Sequence, residues 1–212
     1  MEAVLHLDPA ASSSSISLAQ NLPGSDLAYL FCFGQLKEGV RWSDLPSPYT
    51  WSIWSPSKGG FWPGANCTTR VKLRFAFRYA VFHLNLFINA DCGALCIFRG
   101  NTLVHYSGFT PRYWRFRFLK DEDLQIGDTW THPSERGRGL AFFAVSQILA
   151  LKHKTGRRFW YVVEKTNLPS IRVIEKAGFT VVGQGSFVEP LRIKLFGTYR
   201  IGSQGPLASA RA

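Results

Sequence analysis

Two segments of the chain have the apolar spacing of helices, and several short runs have that of strands. Residues 140–154 place apolar side chains three and four positions apart and end in basic residues before Gly156, which predicts a helix. Residues 170–177 predict a shorter helix, which ends at Gly178 in the left-handed conformation. Apolar, β-branched and aromatic runs of strand length predict a sheet. They occupy residues 27–33, 94–98, 102–106, 124–131, 159–163, 179–182 and 191–199.

The remaining segments have weaker patterns. Residues 71–87 are mostly apolar, aromatic or basic, with a period that fits helix or strand, and their length favours a helix. Residues 39–66 combine tryptophans with prolines and glycines, which predicts an irregular segment held by aromatic side chains. We expect a flexible leader over residues 1–26, one domain over residues 27–200 and a flexible tail over residues 201–212, because both ends are poor in large apolar groups.

Composition narrows the class of protein. Of the 212 residues, 46% are hydrophobic, which excludes a disordered chain. The four cysteines are too few for a disulfide scaffold, and the first residues lack the basic and apolar regions of a secretory signal. The most apolar stretch, residues 75–88, contains Arg78 and His83 and is shorter than the ~20 apolar residues of a membrane span. We therefore expect a soluble, cytoplasmic protein without a membrane span.

The net charge is strongly positive. The chain has 25 Lys and Arg against 14 Asp and Glu, which gives a formal charge of +11. Such a charge suits nucleic acid, an anionic membrane surface or a small molecule that carries phosphate. The basic residues do not form a continuous block of like charges, so a nucleic-acid-binding tail is not indicated. We expect a small-molecule partner and no nucleic acid.

The segment with the most specific pattern joins the strand at residues 124–131 to the helix that follows. Arg136, Gly137, Arg138 and Gly139 form the turn between them. Glycines let the backbone approach a ligand closely, and the N–H groups at a helix start favour an anion such as pyrophosphate. The turn is shorter than a P-loop and departs from the dinucleotide-binding glycine pattern. A tight turn that only joins strand to helix is the alternative interpretation.

Two short motifs, in order along the chain, carry a family resemblance. Residues 136–141 read Arg-Gly-Arg-Gly-Leu-Ala, with Thr-His-Pro at residues 131–133 before them, and residues 167–179 contain Asn, a short helix and Glu-Lys-Ala-Gly-Phe. This pattern resembles the GNAT superfamily of acyl-CoA-dependent N-acetyltransferases, over about residues 93–185. The resemblance implies an α/β fold with a mixed, mostly antiparallel central sheet, helices flanking it and a splay between the two central strands.

The resemblance also implies how acetyl-CoA, or another short acyl-CoA, binds as co-substrate. The amides of residues 136–141 hold the pyrophosphate, the backbone of residues 130–132 pairs with the pantetheine, and two residues of the later motif line the thiol end. Arg138, Lys165 and Arg172 are candidates for the 3′-phosphate, with solvated surface charges as the alternative. The cofactor-binding residues implied are Trp130, Thr131, His132, Arg136, Gly137, Arg138, Gly139, Leu140, Ala141, Asn167 and Ser170.

The catalytic residues are less well defined. Many family members place a Tyr just before Glu-Lys in the last helix, as the acid for the CoA thiolate, where this chain has Ile174. Tyr161 and Ser170 are candidate substitutes, and departure of the thiolate without a proton donor is the alternative. Asp128 lies near the splay and is a candidate for the base or for a contact with the amine. His105 is a further candidate, with a hydrogen-bonded core histidine as the alternative.

The implied reaction is transfer of an acetyl or short acyl group to a primary amine, by direct attack in a ternary complex. The chain looks most like bacterial enzymes that act on nucleotide-linked amino sugars for surface polysaccharides. Arg112, Arg115 and Arg117 are candidate contacts for the diphosphate of such an acceptor. A protein or peptide N-acetyltransferase and a catalytically silent acyl-CoA-binding module are the alternatives.

Other partners are weakly indicated. The spacing of His83, Cys92, Cys96 and His105 is loose for a zinc site, and small buried thiols explain the two cysteines better. We expect no metal ion. Aromatic-rich surfaces favour a homodimer.

Overall fold

A computed structural model describes residues 28–34, 45–63 and 66–204. Its strands are β1 (Tyr29–Gly34), β2 (Tyr49–Trp54), β3 (Gly93–Arg99), β4 (Thr102–Thr110), β5 (Leu124–Thr131), β6 (Phe159–Glu164), β7 (Thr180–Val188) and β8 (Thr198–Gln204). Its helices are α1 (Thr69–His83), α2 (Leu140–Leu151) and α3 (Leu168–Lys176). Short 3-10 turns lie at Trp114–Phe116, Pro133–Glu135, Pro190–Arg192 and Lys194–Phe196.

The strands of these described residues form a sheet in the order β2-β3-β4-β5-β6-β1-β7-β8. Neighbouring strands are antiparallel except for β5 and β6, which are parallel. Helix α2 makes the crossover between these two, as a parallel connection requires. β5 and β6 therefore lie at the centre of a mixed, mostly antiparallel sheet, and the predicted fold class is confirmed.

Helices cover both faces of this sheet. On one face, here called the helix-pair face, Ile148 of α2 and Ile174 of α3 join a buried core with Ile126 of β5. On the other, the α1 face, Phe75 packs edge-on against Tyr106 of β4, with ring centroids 5.0 Å apart. Burial of such large side chains is the main stabilising contribution to the fold. The central strands are thus covered on both faces, which is why their apolar runs are nearly continuous.

The segment with the ambiguous period forms α1, so the prediction of a helix is confirmed. The Thr68 hydroxyl accepts a hydrogen bond from the Val71 amide at 3.4 Å and caps the first turn. Helices α2 and α3 are also confirmed, with ends two or three residues from those predicted at most. Gly178 has the predicted left-handed backbone, with a φ of 82°.

Residues 39–66 contain a strand that their pattern does not predict. β2 pairs antiparallel with β3 along its whole length, from Tyr49 opposite Arg99 to Trp54 opposite Ala94. The prediction of an irregular segment is therefore wrong for β2. Aromatic and β-branched residues favour a strand when they can pack on a sheet, and the neighbouring prolines and glycines hide that preference in the sequence.

The last predicted strand begins later than expected. The prediction over residues 191–199 is wrong for most of its range, because two 3-10 turns precede β8. Pro190 suits the start of a helical turn, and Arg192 has a φ of 57°, outside the strand region. β8 includes the first residues of the predicted tail. The rest of that tail and the predicted leader lie outside the described residues.

Membrane insertion through a helix finds no support in the described part of the chain, where no helix is both long enough and apolar enough to span a bilayer.

Candidate active site

A glycine-containing turn joins β5 to α2. After β5 the chain forms the 3-10 turn Pro133–Glu135, and Gly137 and Gly139 then take φ values of 78° and 77°. Glycine adopts this left-handed region without strain, and Gly139 is the N-cap of α2. A Cβ on either glycine would meet no atom within 4 Å. The two glycines therefore set the direction of the backbone and do not serve close packing.

The turn exposes a row of backbone amides. Within the described ranges, no protein atom accepts a hydrogen bond from the N–H groups of residues 137–142. The Phe143 amide is the first that bonds back, to the Gly139 carbonyl at 2.9 Å, whereas the Arg136 amide donates to Pro133 at 3.4 Å. Consecutive unpaired amides at the positive end of a helix form a site for an anion. The arrangement fits the pyrophosphate of an acyl-CoA.

Glu135 fixes this turn to the edge of the sheet. Its carboxylate is 3% exposed and accepts hydrogen bonds from the Tyr49 hydroxyl and from Arg99 at 3.0 Å. The Nε of Arg138 lies 3.2 Å from the same carboxylate. The Tyr49 hydrogen bond lowers the pKa of Glu135 against the effect of burial, and Arg99 and Arg138 act in the same direction. Sequence reasoning missed this anchor, because Tyr49 and Arg99 lie far from it along the chain.

β5 and β6 separate beside the turn. They pair over three positions, from Leu124 opposite Phe159 to Ile126 opposite Tyr161, and beyond this point β5 pairs with β4 alone. The separation coincides with a bulge, where the register of β5 against β4 shifts and Asp128 has a φ of 49°. The predicted splay between the two central strands is confirmed. It leaves one edge of β5 facing an open space, called the gap below.

The backbone groups expected to bind pantetheine are not equally placed at this edge. His132 uses both of its main-chain groups within the protein: its amide donates to Val104 at 2.8 Å, and its carbonyl accepts from the Glu135 amide at 2.9 Å. Trp130 and Thr131 pair with β4 on one side and lie beyond the last residue of β5 that pairs with β6. Trp130 and Thr131 are therefore the better placed residues for an added strand.

Asp128 lies at the bulge and points to the α1 face. Its carboxylate binds the Nη1 of Arg74 and, at 3.2 Å, the Nη2 of Arg78. Burial disfavours the charge on both arginines, but the neighbouring carboxylate keeps the pKa of Arg74 and of Arg78 above the usual value. Sequence reasoning missed this pair. The available signal was the four-residue spacing of Arg70, Arg74 and Arg78, which places them on one side of a helix.

A cavity of about 520 Å³ opens beside Asp128 on the α1 face. Arg70, Arg74 and Arg78 of α1 contribute to its wall, and Arg115 contributes from the 3-10 turn after β4. Aromatic rings from several elements complete the lining. The cavity therefore combines positive charge with flat apolar surfaces.

The three arginines predicted to bind a diphosphate do not converge. Arg115 lines the cavity, whereas Arg112 and Arg117 line a separate shallow groove. Arg112 is also paired with Asp121 at 2.8 Å. The prediction of one arginine cluster is wrong, because the 3-10 turn at Trp114–Phe116 replaces the extended chain that would have brought alternate side chains together.

A chain of hydrogen bonds crosses β4 and β5 on the helix-pair face. His105 is fully buried, with Nδ1 2.8 Å from the Thr131 hydroxyl and Nε2 3.0 Å from the Ser107 hydroxyl. Ser107 continues to Thr129 at 3.1 Å, and the Tyr161 hydroxyl lies 3.5 Å from Thr129. Burial lowers the pKa of His105 to about 3, so the imidazole is neutral at physiological pH. The structure places His105 in the core, with both ring nitrogens occupied.

The candidates on β6 and α3 meet where the gap begins. Burial raises the pKa of Tyr161, against hydrogen bonds with Thr129 and Ser170 that lower it. Asn167 caps α3, since its Oδ1 accepts from the Ser170 amide at 3.3 Å. Ile174, at the position where the family resemblance implies a Tyr, is fully buried in the core. The Tyr161 and Ser170 side chains are therefore in contact. Ile174 contributes no polar group to the gap.

The remaining candidates are peripheral. Lys165 is half-buried and Arg172 is exposed, and neither forms an ion pair within the part of the chain that the structure describes. In that same part, no three His, Cys, Asp or Glu side chains come close enough to hold a metal ion. The loose zinc-like set of the sequence thus does not assemble.

Comparison with known proteins agrees with this geometry. The model of the Acetyltransferase (GNAT) family matches residues 51–179, which is more than half of the chain. None of the curated proteins compared with the chain matches it. The match includes β5, the glycine turn, α2, β6 and α3, which together form the candidate site.

Three solved structures illustrate the similarity to known chains. A tandem GNAT protein from the clavulanic acid biosynthesis pathway has a TM-score of 0.51 and 14% identity, and the alignment covers 85% of this chain and 58% of that one. The structure of yncA from Salmonella typhimurium with acetyl-CoA has a TM-score of 0.40 and 19% identity, and the alignment covers 58% of this chain and 63% of that one. A GCN5-related N-acetyltransferase from Sphaerobacter thermophilus has a TM-score of 0.47 and 14% identity, and the alignment covers 81% of this chain and 54% of that one.

This chain spans between about half and two thirds of the length of these solved chains. At 14% identity, the similarity to the tandem GNAT protein shows the fold alone. The family match goes further, because it extends over more than half of this chain and includes the elements of the candidate site. The chain therefore belongs to the GNAT family, whose model matches residues 51–179.

Proposed function

We propose that the chain transfers an acetyl group from acetyl-CoA to a primary amine by direct attack in a ternary complex. The observation that carries the proposal is the row of unpaired amides at residues 137–142, directly after the strand that separates from β6. A long thioester with a pyrophosphate needs an anion site at one end and an opening in the sheet at the other. Both lie next to each other here.

The main chain supplies most of the proposed donor site. The amides of residues 137–142 bind the pyrophosphate, and the β5 edge at Trp130 and Thr131 pairs with the pantetheine. Asn167 and Ser170, at the start of α3, lie toward the thiol end. Because these contacts use backbone atoms, the donor site depends on backbone direction more than on particular side chains.

Side chains at the two sides of the gap handle the protons. Bound acetyl-CoA supplies an activated acetyl group, whose carbon–sulfur bond breaks as the carbon–nitrogen bond forms. Asp128 accepts a hydrogen bond from the ammonium group and takes one proton, which exposes the nitrogen lone pair. The nitrogen loses a second proton on becoming an amide. That second proton passes to solvent. The departing thiolate takes one proton from the Tyr161 hydroxyl, which lies beside Ser170 and regains its proton from solvent, and Asp128 returns its proton to solvent, so one proton is released overall.

The cysteines support direct attack over a covalent acyl-enzyme. Cys32, Cys92 and Cys96 are buried, and burial raises the pKa of each thiol to about 12. Cys67 is half-buried, and burial raises its pKa as well. A thiol is nucleophilic as its thiolate, which these environments disfavour at neutral pH. The amine is therefore the nucleophile that meets the thioester.

For the acceptor we propose a small molecule, a nucleotide-linked amino sugar of the kind used in surface polysaccharides. The cavity beside Asp128 has about 520 Å³, within the range of about 300–1,000 Å³ usual for small-molecule sites. Its arginines suit phosphate, and its aromatic rings suit a base or a sugar. An acidic peptide is the alternative acceptor.

The proposal is tested first by ligand stabilisation and then by turnover. Acetyl-CoA should raise the midpoint of thermal unfolding, since a ligand at 100 times its Kd stabilises a protein by about 2.7 kcal/mol. Release of the CoA thiol should require an added amine. The panel compares a nucleotide-linked amino sugar, the free amino sugar and an acidic peptide with a free N-terminus.

Each result distinguishes one interpretation. Fastest acetylation of the nucleotide-linked sugar supports the proposed acceptor, and faster acetylation of the peptide contradicts it. Stabilisation by acetyl-CoA without turnover of any amine supports a silent binding module. Absence of stabilisation contradicts the proposed donor site itself.

A further inference from the structure

Arg78 carries a positive charge into the interior on the α1 face. Its side chain is 7% exposed, and its Nη2 donates to Asp128 Oδ2 at 3.2 Å. Its Nη1 is buried and has no hydrogen-bond partner among the described residues. A buried guanidinium N–H without an acceptor is costly, and nearly all such groups in native proteins are paired. The unused donor therefore points to an acceptor that a ligand supplies.

The fold makes room for this guanidinium and fixes its direction. A Cβ at Gly108 of β4 would lie 2.2 Å from Arg78 Nη2, so no larger residue fits there without displacing Arg78. The Phe75 ring lies 6.0 Å from the guanidinium carbon, and Asp128 holds the other side. A guanidinium held in this way presents its remaining donors in a fixed geometry, which suits the oxygens of a carboxylate or phosphate.

Arg115 shows a second unused donor in the same cavity. Its Nη2 donates to the Lys194 carbonyl at 3.1 Å, while its Nε is buried without a partner in the described part of the chain. With two further arginines of α1, the described lining carries four guanidinium groups and one carboxylate, that of Asp128. The formal charge of this lining is 4 − 1 = +3. An acceptor without an anionic group would leave these guanidinium groups uncompensated.

We infer that the acceptor is a primary amine that carries its own anionic group, a carboxylate or a phosphate, and that this group binds Arg78 Nη1 in the cavity on the α1 face. The inference rests on the proposed function, since it places the amine at Asp128 beside the gap. It assigns the recognition of the acceptor to Arg78, with Arg115 as a second contact. Acetyl-CoA, which we propose binds on the helix-pair side of the gap, takes no part in the recognition of this anionic group.

Calorimetry on the full chain without acetyl-CoA tests the anion site directly. The probes are phosphoethanolamine, β-alanine and ethanolamine, which share a primary amine and differ in the anion. Ethanolamine should bind about 10- to 100-fold more weakly than the better anionic probe, the range that a charge-assisted hydrogen bond gives. Binding of phosphoethanolamine alone identifies a phosphate site, and binding of β-alanine alone identifies a carboxylate site.

Three variants locate the contact. Arg78→Met should weaken the better anionic probe by about 10- to 100-fold, and Arg78→Lys, which keeps the charge without the fork, should lose less. Arg200→Met removes an exposed arginine of β8 outside the cavity lining and should change nothing. Stabilisation by acetyl-CoA reports whether each variant is folded. If Arg78→Met does not fold, Arg115→Met provides the measurement with the Asp128 pairs intact.

The outcomes separate this inference from the proposed function. Equal affinity for ethanolamine, or unchanged anion affinity in a folded Arg78→Met, overturns the inference, and where Arg78→Met does not fold, unchanged affinity in Arg115→Met does so. Failure of both phosphoethanolamine and β-alanine to bind overturns it as well. None of these measurements uses acetyl transfer, so a failure of the proposed function, seen as no stabilisation by acetyl-CoA, is recognised independently.

Discussion

The two faces of β5 differ in the chemistry that they offer next to the gap. On the helix-pair face, the polar groups are neutral hydroxyls and an imidazole, bonded to one another and enclosed by an apolar core. On the α1 face, Asp128 and the arginines of α1 are charged and border an open cavity. This difference agrees with the proposal that the main chain binds the acetyl donor and that charged side chains bind the acceptor, on opposite sides of β5.

Replacement of Asp128 should have the largest effect and should act on the α1 face alone. Asp128→Asn removes the proposed base, so we expect kcat to fall about 100-fold or more, the usual contribution of general base catalysis. The affinity for acetyl-CoA should stay the same. Steady-state kinetics with stabilisation by acetyl-CoA on the same protein measure both.

Asp121→Asn is the matched control, because Asp121 is an exposed carboxylate that also pairs with an arginine. It should leave kcat unchanged. A fall in acetyl-CoA affinity as large as the fall in kcat for Asp128→Asn would contradict the division between the two faces. Partial recovery of kcat in Asp128→Glu, with a shifted pH profile, would support proton transfer over a structural role.

Replacement of Gly139 should break the donor side. Val at this position is strained at a φ of 77°, and relief of that strain turns the unpaired amides away from the anion. We expect acetyl-CoA to bind about 10- to 100-fold more weakly, as a loss of one or two charge-assisted hydrogen bonds gives. Calorimetric titration with acetyl-CoA measures the change.

Gly156→Val provides the control at the other end of α2. Gly156 has a φ of 79° and, like Gly139, has no atom within 4 Å of an added Cβ. Both variants should lose similar stability, about 1–2 kcal/mol, but acetyl-CoA should still bind to Gly156→Val normally. Equal affinities in the two variants would refute the anion site at the turn.

His105 allows a smaller, pH-dependent test of the helix-pair face. Its pKa is depressed to about 3 in the folded protein, so below pH 6.5 the unfolded chain takes up a proton that the folded chain does not. The folded state therefore loses stability as the pH falls from about 6.5 toward 3, by about 2 kcal/mol at pH 5.

His105→Gln should lack this part of the acid sensitivity, although it lowers stability at pH 8. Denaturant unfolding of both proteins at pH 8, 6.5 and 5 measures the difference. The variant should bind the anionic amines of the α1 face as the native protein does. A parallel pH dependence in both proteins would show that His105 is not the group that remains neutral.

The candidates for the 3′-phosphate should have the smallest effect. Arg172 is exposed and Arg138 already contacts Glu135, so each contributes at most about 1 kcal/mol, or up to about fivefold in affinity. Arg172→Ala, Lys165→Ala and Arg138→Ala should weaken acetyl-CoA within that range. The form without the 3′-phosphate serves as the control, and a variant that weakens both forms equally is not a 3′-phosphate contact.

The glycine turn after β5 could be predicted from the sequence because backbone direction leaves a local signal. Gly137 and Gly139 stand close together at the start of a helix, and their spacing is enough to indicate unpaired amides there. Asp128 could be assigned to a strand near the splay. Its orientation depends on a bulge, which no local pattern of apolar residues indicates.

The acceptor side could not be predicted in the same way, because it depends on contacts between distant segments. Arg78 meets Asp128 fifty positions later, and Gly108 makes room for it from a third element. The sequence groups Arg115 with Arg112 as a diphosphate contact because the two are close along the chain. In the fold, Arg115 lines the cavity with the arginines of α1 and not with Arg112. The net charge indicated an anionic ligand, and only the fold shows which arginines line one cavity.

The bulge at Asp128 changes which side chains of β5 face each side of the sheet. Before it, the even-numbered Leu124 and Ile126 face the helix-pair core; after it, the odd-numbered Thr129 and Thr131 do, while Trp130 faces α1. Removal of this one residue would restore strict alternation and exchange the faces of everything that follows in the strand. A single inserted position thus decides which face of the sheet, and so which of the two proposed substrate sites, each later side chain of β5 faces.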